Sequence, residues 1–446
     1  MIPQKQRSDM SKSHNSMGAQ THHSTPKAAH GNITRRRFLV TAGASTALFL
    51  SGLRPSRAAG TERAKVGAIL SEKGPFADDS KSLLAGFELF LKERGADFPP
   101  LELIKHDCGP KEENSLQALT ELGINQKVGF LLGPLSLDAS EKTIHGASGT
   151  ELILFVNNPG VRLVAGELCL PGSFRLCPNT YQSSRPLVPW ALENVGLKVF
   201  LTGNSDPLGN EQADFFAHGF ERAGGKFFDR KMLQKDGGNL KEILADISGS
   251  DADFVFASLR GTDAISFVEA FKKSSPQPTQ KLLGPESLTQ YPATLGKLQK
   301  AASGVPTLTF LSEPKDLAAR IKKALGTEVT NISRAAEGYD TAHVICSALK
   351  EAKGNDLKFE ELIKIVEGIS IEGPRGKVSF DKNHEPLLQG RVQAWELDDN
   401  SQERKILADL GTCESPDFGC GRVGFPKRPR YEEPEEGTLS GELPEP

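Results

Sequence analysis

The chain reads as an α/β protein of two similar lobes, each built on a mostly parallel sheet. Three observations carry that expectation. Lys65 to Leu91 opens with the apolar run Val66 to Leu70, turns through Gly74-Pro75, and continues with Leu83, Leu84, Phe87, Phe90 and Leu91 at i, i+1, i+4, i+7 and i+8. That is a buried strand, a loop and one apolar helix face. The same unit recurs along the chain. The recurrences fall into two series, one starting at Val66 and one at Val199. Short apolar strands separated by helices pair in parallel, and ligands bind such sheets at the carboxyl ends of the strands.

The first sixty or so residues stand apart. Residues 1 to 33 are polar and aperiodic, then Thr34-Arg35-Arg36-Arg37-Phe38-Leu39 leads into an apolar run ending near Leu53 and a small-residue segment, Ser56-Arg57-Ala58-Ala59. This is the grammar of an export signal, and the paired arginines followed by Phe-Leu resemble the twin-arginine (Tat) signal. Residues 1–59 are therefore expected to be a disordered n-region and a signal peptide. The apolar run is shorter than the ~20 residues a membrane span needs.

Removing residues 1 to 58, which carry a net charge of +8, takes the chain from −3 to −11. An acidic mature chain disfavours nucleic acid and anionic membrane as partners. Six cysteines lie in the mature part, with no C-x-x-C, and its five histidines share no local spacing, so no metal and no cofactor is expected.

Taken in order, strands are expected at Leu101 to Ile104, Val128 to Leu132 and Leu152 to Val156. Helices are expected at Glu113 to Leu122 and Asp138 to His145, and a turn at Asn157-Asn158-Pro159-Gly160. The second series has strands at Val199 to Thr202, near Met232, at Asp253 to Ala257 and at Leu282 to Gly284. Its helices are Asn210 to Ala223, Leu240 to Ile247 and Ala264 to Phe271. Helices follow at Pro314 to Leu325, Ala335 to Ala352 and Phe359 to Val366, then strands at Gly376 to Phe380 and Val392 to Leu397. Residues 412–446 read as a Cys-, Pro- and Glu-rich tail, largely disordered.

Eight short landmarks occur in order: VGAILSEKGPFA (Val66 to Ala77), His106 to Pro110, Gly133 to Ser136, Phe174-Arg175, Asp253 to Phe256, Gly284-Pro285-Glu286, Glu337 to Asp340, and GPRGKVSFDKN (Gly373 to Asn383). Together they resemble the periplasmic substrate-binding proteins of the branched-chain amino acid (Leu/Ile/Val-binding) family, from about Ala64 to Leu397. The resemblance implies the type I periplasmic binding fold, with two lobes joined by crossover hinge strands and a ligand enclosed by hinge closure. It divides the chain into lobe 1 (64–184 and 312–378) and lobe 2 (185–311 and 379–411). It implies a small-molecule ligand (an amino acid, carboxylate or amide), an ABC permease as partner and a periplasmic location; the export signal implies the Tat translocase during export, and no catalysis is expected. A ligand-sensing protein of the same fold, signalling to a receptor, is the alternative.

Carried over position by position, the resemblance implies ligand contacts at Ser136, Glu286 and Tyr339; at the same strand ends this chain's own residues add Asn157 and Asn158, whose amides can meet a ligand, and Arg260, where relatives carry Tyr or small residues. Leu137 replaces the usual hydroxyl beside Ser136, and Leu208 stands where relatives carry an aromatic. Each residue also has a plainer reading. Ser136 suits a helix N-cap, Asn157 and Asn158 a turn, Glu286 a turn after Gly-Pro, Arg260 a surface pair with Asp263, and Tyr339 core packing. Arg binds carboxylates in a bidentate fork, so the expected ligand carries an anionic or amide group oriented by Arg260, with Glu286 meeting a donor at its other end. Two short-loop disulfides are expected, Cys169 with Cys177 and Cys413 with Cys420, and Cys108 is expected as a buried free thiol. The run Gly419-Cys420-Gly421-Arg422-Val423-Gly424 matches a dinucleotide fingerprint in letters only, since it follows no strand and opens no helix. No Walker A run and no nucleophile elbow occurs, so no catalytic residue is assigned.

Overall fold

The computed structural model describes residues 64–274, 279–289, 301–353, 357–397 and 402–420. The export signal read over 1–59 and the tail from 421 onward lie outside these residues. No helix among the described residues is long and apolar enough to cross a membrane.

The first lobe is a five-stranded parallel sheet in the order β2-β1-β3-β4-β5. Its strands are β1 (Ala64–Leu70), β2 (Leu101–Asp107), β3 (Phe130–Leu132), β4 (Ile153–Val156) and β5 (Ser173–Arg175). Between them run α1 (Ala77–Glu93), α2 (Ser115–Thr120) and α3 (Leu137–Ala147). Every residue of β3 and β4 is buried, as a parallel sheet covered on both faces requires. After α4 (Leu187–Asn194) the second lobe repeats the plan in the order β7-β6-β8-β9. Here β6 (Lys198–Gly203), β7 (Lys226–Arg230), β8 (Phe254–Ser258) and β9 (Lys281–Leu283) alternate with α5 (Pro207–Arg222), α6 (Leu240–Ser248) and α7 (Gly261–Lys273). Phe87, Phe155 and Phe174 of the first lobe and Phe216, Phe254 and Phe256 of the second belong to one continuous apolar core.

A third sheet is antiparallel. It runs β10-β13-β12-β11, with β14 paired to the outside of β13. Its strands are β10 (Thr307–Thr309), β11 (Ile371–Gly373), β12 (Gly376–Phe380), β13 (Pro386–Leu397) and β14 (Gln402–Cys413). Between β10 and β11 come α8 (Pro314–Leu325), α9 (Ile332–Ala352) and α10 (Phe359–Gly368). Sequence reading places only the end of β13 and misses β14, which runs across the expected end of the second lobe into the first two residues of the expected tail.

Helices α1 and α9 touch backbone to backbone through two glycines. A Cβ on Gly338 would stand 1.9 Å from the Leu83 carbonyl oxygen, and one on Gly86 would stand 1.7 Å from that of Ala335. This contact fixes the first turn of α9 against the start of α1.

The cysteines pair differently from the expectation. Cys169 is bonded to Cys420, 251 residues away, while Cys177 and Cys413 are free and buried. Cys413 ends β14 and Cys177 lies beyond β5, so their places in the sheets keep them from their sequence neighbours. Cys108 is a buried free thiol. In the chain-entropy view a loop this long contributes roughly 5 kcal/mol.

Two outcomes follow. Gly338→Ala is expected to cost at least about 1–3 kcal/mol in urea unfolding, because backbone must move to admit the methyl group; an unchanged midpoint would count against the close helix contact. Thiol titration of oxidised, denatured protein is expected to find four free thiols, with peptide mapping joining Cys169 to Cys420; any other pair overturns the assignment.

Candidate functional site: a cleft between the two lobes

A cleft of about 190 Å³ opens where the strand ends of both parallel sheets face each other. The first lobe contributes Asp79 at the start of α1 and Cys177, Pro178 and Thr180 beyond β5. The second contributes Leu208, Arg260 and the segment Pro285–Ser287 after β9. Strand β10 and the residues just after it supply Leu308, Phe310 and Leu311, and the first two turns of α9 supply Ser333, Arg334 and Glu337. Arg375, from the turn between β11 and β12, completes the lining.

Asn331 caps α9. Its Oδ1 accepts from the Arg334 amide at 3.1 Å, and its Nδ2 donates to Asp79 Oδ1 at 2.9 Å. Arg334 then sits in a first turn, where the helix dipole opposes a cation. Two carboxylates make the position tenable. Nη1 of Arg334 donates to Glu337 Oε2 at 2.7 Å and to the Asn157 carbonyl at 2.9 Å, and Nε lies 3.5 Å from Asp79 Oδ2. Burial opposes the charge, but Glu337 and Asp79 outweigh it and raise the guanidinium pKa well above its ordinary value.

Glu286 is half-buried at the second-lobe wall. Thr309 Oγ1 donates to its Oε1 at 2.9 Å. Burial pushes its pKa up to about 6, against the hydroxyls of Thr309 and Ser333 and the charges of Arg404 and Arg375. Arg375 is almost wholly buried. Its Nε donates to Asp340 Oδ2 at 2.6 Å and its Nη1 to the Leu176 carbonyl. Burial raises Asp340 to about 6 despite that partner. Burial also pushes the Cys177 thiol up to about 12, so it stays protonated and is no nucleophile at neutral pH.

Residues 63–401 match the periplasmic binding protein family. The chain belongs to the periplasmic binding protein family. Among curated proteins, this binding protein is 26% identical to the Leu/Ile/Val-binding protein homolog 6 of Brucella melitensis over 358 residues, 78% of this chain and 90% of the relative. Among solved structures it resembles an ABC transporter substrate-binding protein from Sphaerobacter thermophilus, with a TM-score of 0.73, 22% identity and coverage of 80% of this chain and 100% of that one. It also resembles a solute-binding protein of an ABC transporter from Rhodopseudomonas palustris in complex with 3,4-dihydroxybenzoic acid, with a TM-score of 0.70, 23% identity and coverage of 79% and 99%. At these identities the two structures show that the fold is shared.

Of the six residues singled out in the sequence, the structure brings Arg260 and Glu286 to the cleft of this binding protein. Arg260 pairs with Asp206, not with Asp263, and both side chains are more than a third exposed. Asp206 also caps α5, accepting from the Gly209 amide at 2.9 Å, so the pair belongs wholly to the second lobe. The other four residues do not line the cleft. Ser136 caps α3, accepting from the Ala139 amide at 3.3 Å. Asn157 is fully buried between the Gly133 amide, at 2.7 Å, and Glu337. Asn158 donates to the Leu135 carbonyl at 2.8 Å and accepts from the Gly160 amide at 3.0 Å. Tyr339 follows Glu337 by two residues, about 200° around the helix, and its ring meets Phe90 at 5.2 Å and the Arg320 guanidinium at 5.2 Å.

Sequence reading missed Arg334 and Arg375. A signal for the first existed: an arginine in the first turn of a helix, with a glutamate three residues on, needs a partner to offset the dipole.

Glu286 and Asp340 have folded-state pKa values above their unfolded ones, so the native state holds these protons more tightly. Their burial therefore disfavours folding above about pH 6, and the penalty is relieved as pH falls toward the unfolded value of about 4. Glu286→Gln is expected to melt above the wild type at pH 7.5 and to lose that advantage progressively as the pH falls from about 6 to about 4. A Tm difference independent of pH would contradict the assignment.

Proposed function

We propose that this chain is an exported, periplasmic solute-binding protein of an ABC importer. It captures a small polar or amphipathic molecule between its lobes, closes about the antiparallel hinge sheet, and presents the closed form to a membrane permease. The observation that carries this reading is the cleft itself. It is lined from both lobes and joins charged groups to the apolar side chains of Leu308, Phe310 and Leu311. That is the lining of a binding site with few oriented polar groups. The protein binds and does not catalyse. Export through the Tat translocase rests on Arg35 and Arg36.

The relatives supply the first candidates. One is named for leucine, isoleucine and valine, and another holds 3,4-dihydroxybenzoic acid. With Arg260 held by Asp206 at the mouth and Glu286 accepting from Thr309, small carboxylic acids with an apolar body fit the cleft best. Arg260 acts there mainly by holding the Asp206 loop, so Arg260→Ala is a minor perturbation of about 0.2–1 kcal/mol.

The experiment is a thermal-shift screen of amino acids, aromatic acids and their amides, followed by small-angle scattering with each hit. A ligand of the native state at 100 times its Kd adds about 2.7 kcal/mol and raises Tm, and hinge closure lowers the radius of gyration. A folded chain that no solute stabilises would overturn the reading.

A further inference from the structure

Glu211 lies on α5, in the second lobe, yet its hydrogen-bond partner lies in the first. Thr180, in the segment beyond β5, donates its hydroxyl to Glu211 Oε2. Burial raises the Glu211 carboxyl above its ordinary range, against the Thr180 hydroxyl, the Val161 amide and the Arg175 guanidinium. Among the described residues the side chain takes no hydrogen bond from its own lobe. A half-buried carboxylate without that hydroxyl would keep its desolvation cost and lose the contact that offsets it.

Leu208, Glu211 and Phe215 stand at i, i+3 and i+7, on one face of α5. All three meet the first lobe. A Leu208 methyl carbon is 3.4 Å from where a Cβ of Gly160 would stand, and the Phe215 ring meets the Tyr181 ring at 5.2 Å. The seam between the lobes therefore runs from the Gly160 loop to Tyr181, with Glu211 as the polar member of the three.

Arg175 orders the first-lobe side of this seam. It ends β5 and is fully buried. Its Nη1 donates to the Pro159 carbonyl at 2.9 Å and its Nη2 to the Gly160 carbonyl at 2.6 Å. The Pro159 carbonyl also accepts from the Thr180 amide at 3.0 Å. The loop after β4 is thus tied both to β5 and to the segment beyond it, and Thr180 is held where Glu211 meets it.

We propose that Glu211 is the closure latch of the cleft, a positioning residue that fastens α5 to Thr180 and sets how long the closed form holds its solute. The inference rests on the solute-binding reading and adds the residue that governs release. Glu211 does not line the cleft, but Leu208 and Thr180 line it from opposite lobes, so widening the cleft parts the seam that Glu211 fastens.

Hydrogen–deuterium exchange of the signal-processed protein, alone and with excess leucine or 4-hydroxybenzoate, decides it. In Glu211→Ala the peptides spanning 157–163 and 178–183 are expected to exchange at least about 10-fold faster than in the wild type, the effect of losing a hydrogen bond to a carboxylate. Peptides of β3 and β8 are expected to keep their rates, which reports an intact fold. Glu211→Gln keeps an acceptor for Thr180 and is expected to stay within about 3-fold of the wild type. Thr180→Val is expected to match Glu211→Ala, and the double variant to be no looser than either, since both changes remove one contact. Should Glu211→Ala exchange throughout, Thr180→Val carries the same test. A probe that binds is expected to leave Glu211→Ala at least about 10-fold faster, with association unchanged. A folded Glu211→Ala that exchanges like the wild type in every condition overturns the latch, as does a Gln variant as loose as the Ala variant, or a double variant whose effects add. Each of these leaves solute binding standing. A folded wild type that no solute stabilises overturns solute binding, and with it the role of Glu211 in release, whatever the exchange shows.

Discussion

The close contact of α1 with α9, made possible by Gly86 and Gly338, governs the site more than any charged residue does. With side chains at those two positions the helices would stand apart by the width of a methyl group or more. Asp79 would then leave Arg334, and Arg334 would face the helix dipole with one carboxylate in place of two. The cap also depends on this contact, because Asn331 reaches Asp79 on one side and accepts from its own helix on the other. Two residues without any functional group thus set the electrostatics of one cleft wall.

The charged groups of the cleft divide into those that hold the structure and those left to meet a solute. The Arg334 cluster is closed on itself, and the Arg260–Asp206 pair closes a second-lobe loop. A buried cluster such as that of Arg334 adds little net stability over apolar packing, but losing one partner leaves the other stranded. Beside these the cleft is lined by Glu286, Arg375 and an apolar strip of Leu308, Phe310 and Leu311. Such sparse polarity discriminates by charge and length and tolerates variation in the body of the ligand.

The parallel sheets were readable in the sequence because their strands are buried on both faces and appear as unbroken apolar runs, as in Phe130–Leu132 and Phe254–Ser258. Helices with a clear apolar face were placed within a few residues, and Pro314–Leu325 at both ends. The strand β14 was not readable. Its Gln-Glu-Arg-Lys start has no apolar alternation, and it is a strand only because β13 offers it an edge. Of the site, Glu286 was legible after its Gly-Pro turn, whereas Arg375 lay in view within GPRGKVSF as a landmark without a role. Which side of a helix faces the cleft decided the rest. Glu337 and Tyr339 are two positions apart, and only the tertiary contact with α1 tells which of them looks inward. The cysteine pairing was hidden for a similar reason, since nearness along the chain says nothing about which sheet edge each residue occupies.

The bond between Cys169 and Cys420 closes the chain between them into a ring, with one arm before residue 169 and another after residue 420. The second parallel sheet, the antiparallel sheet and the last strand of the first sheet lie inside that ring. Phe418, just ahead of the bond, packs against Tyr181 and Phe215 and donates its amide to the Ala165 carbonyl at 3.1 Å, so the ring is fastened across both lobes at its point of closure. A chain cut once at any surface loop between 169 and 420 would remain a single covalent body. The fragments of a first proteolytic cleavage there would stay joined.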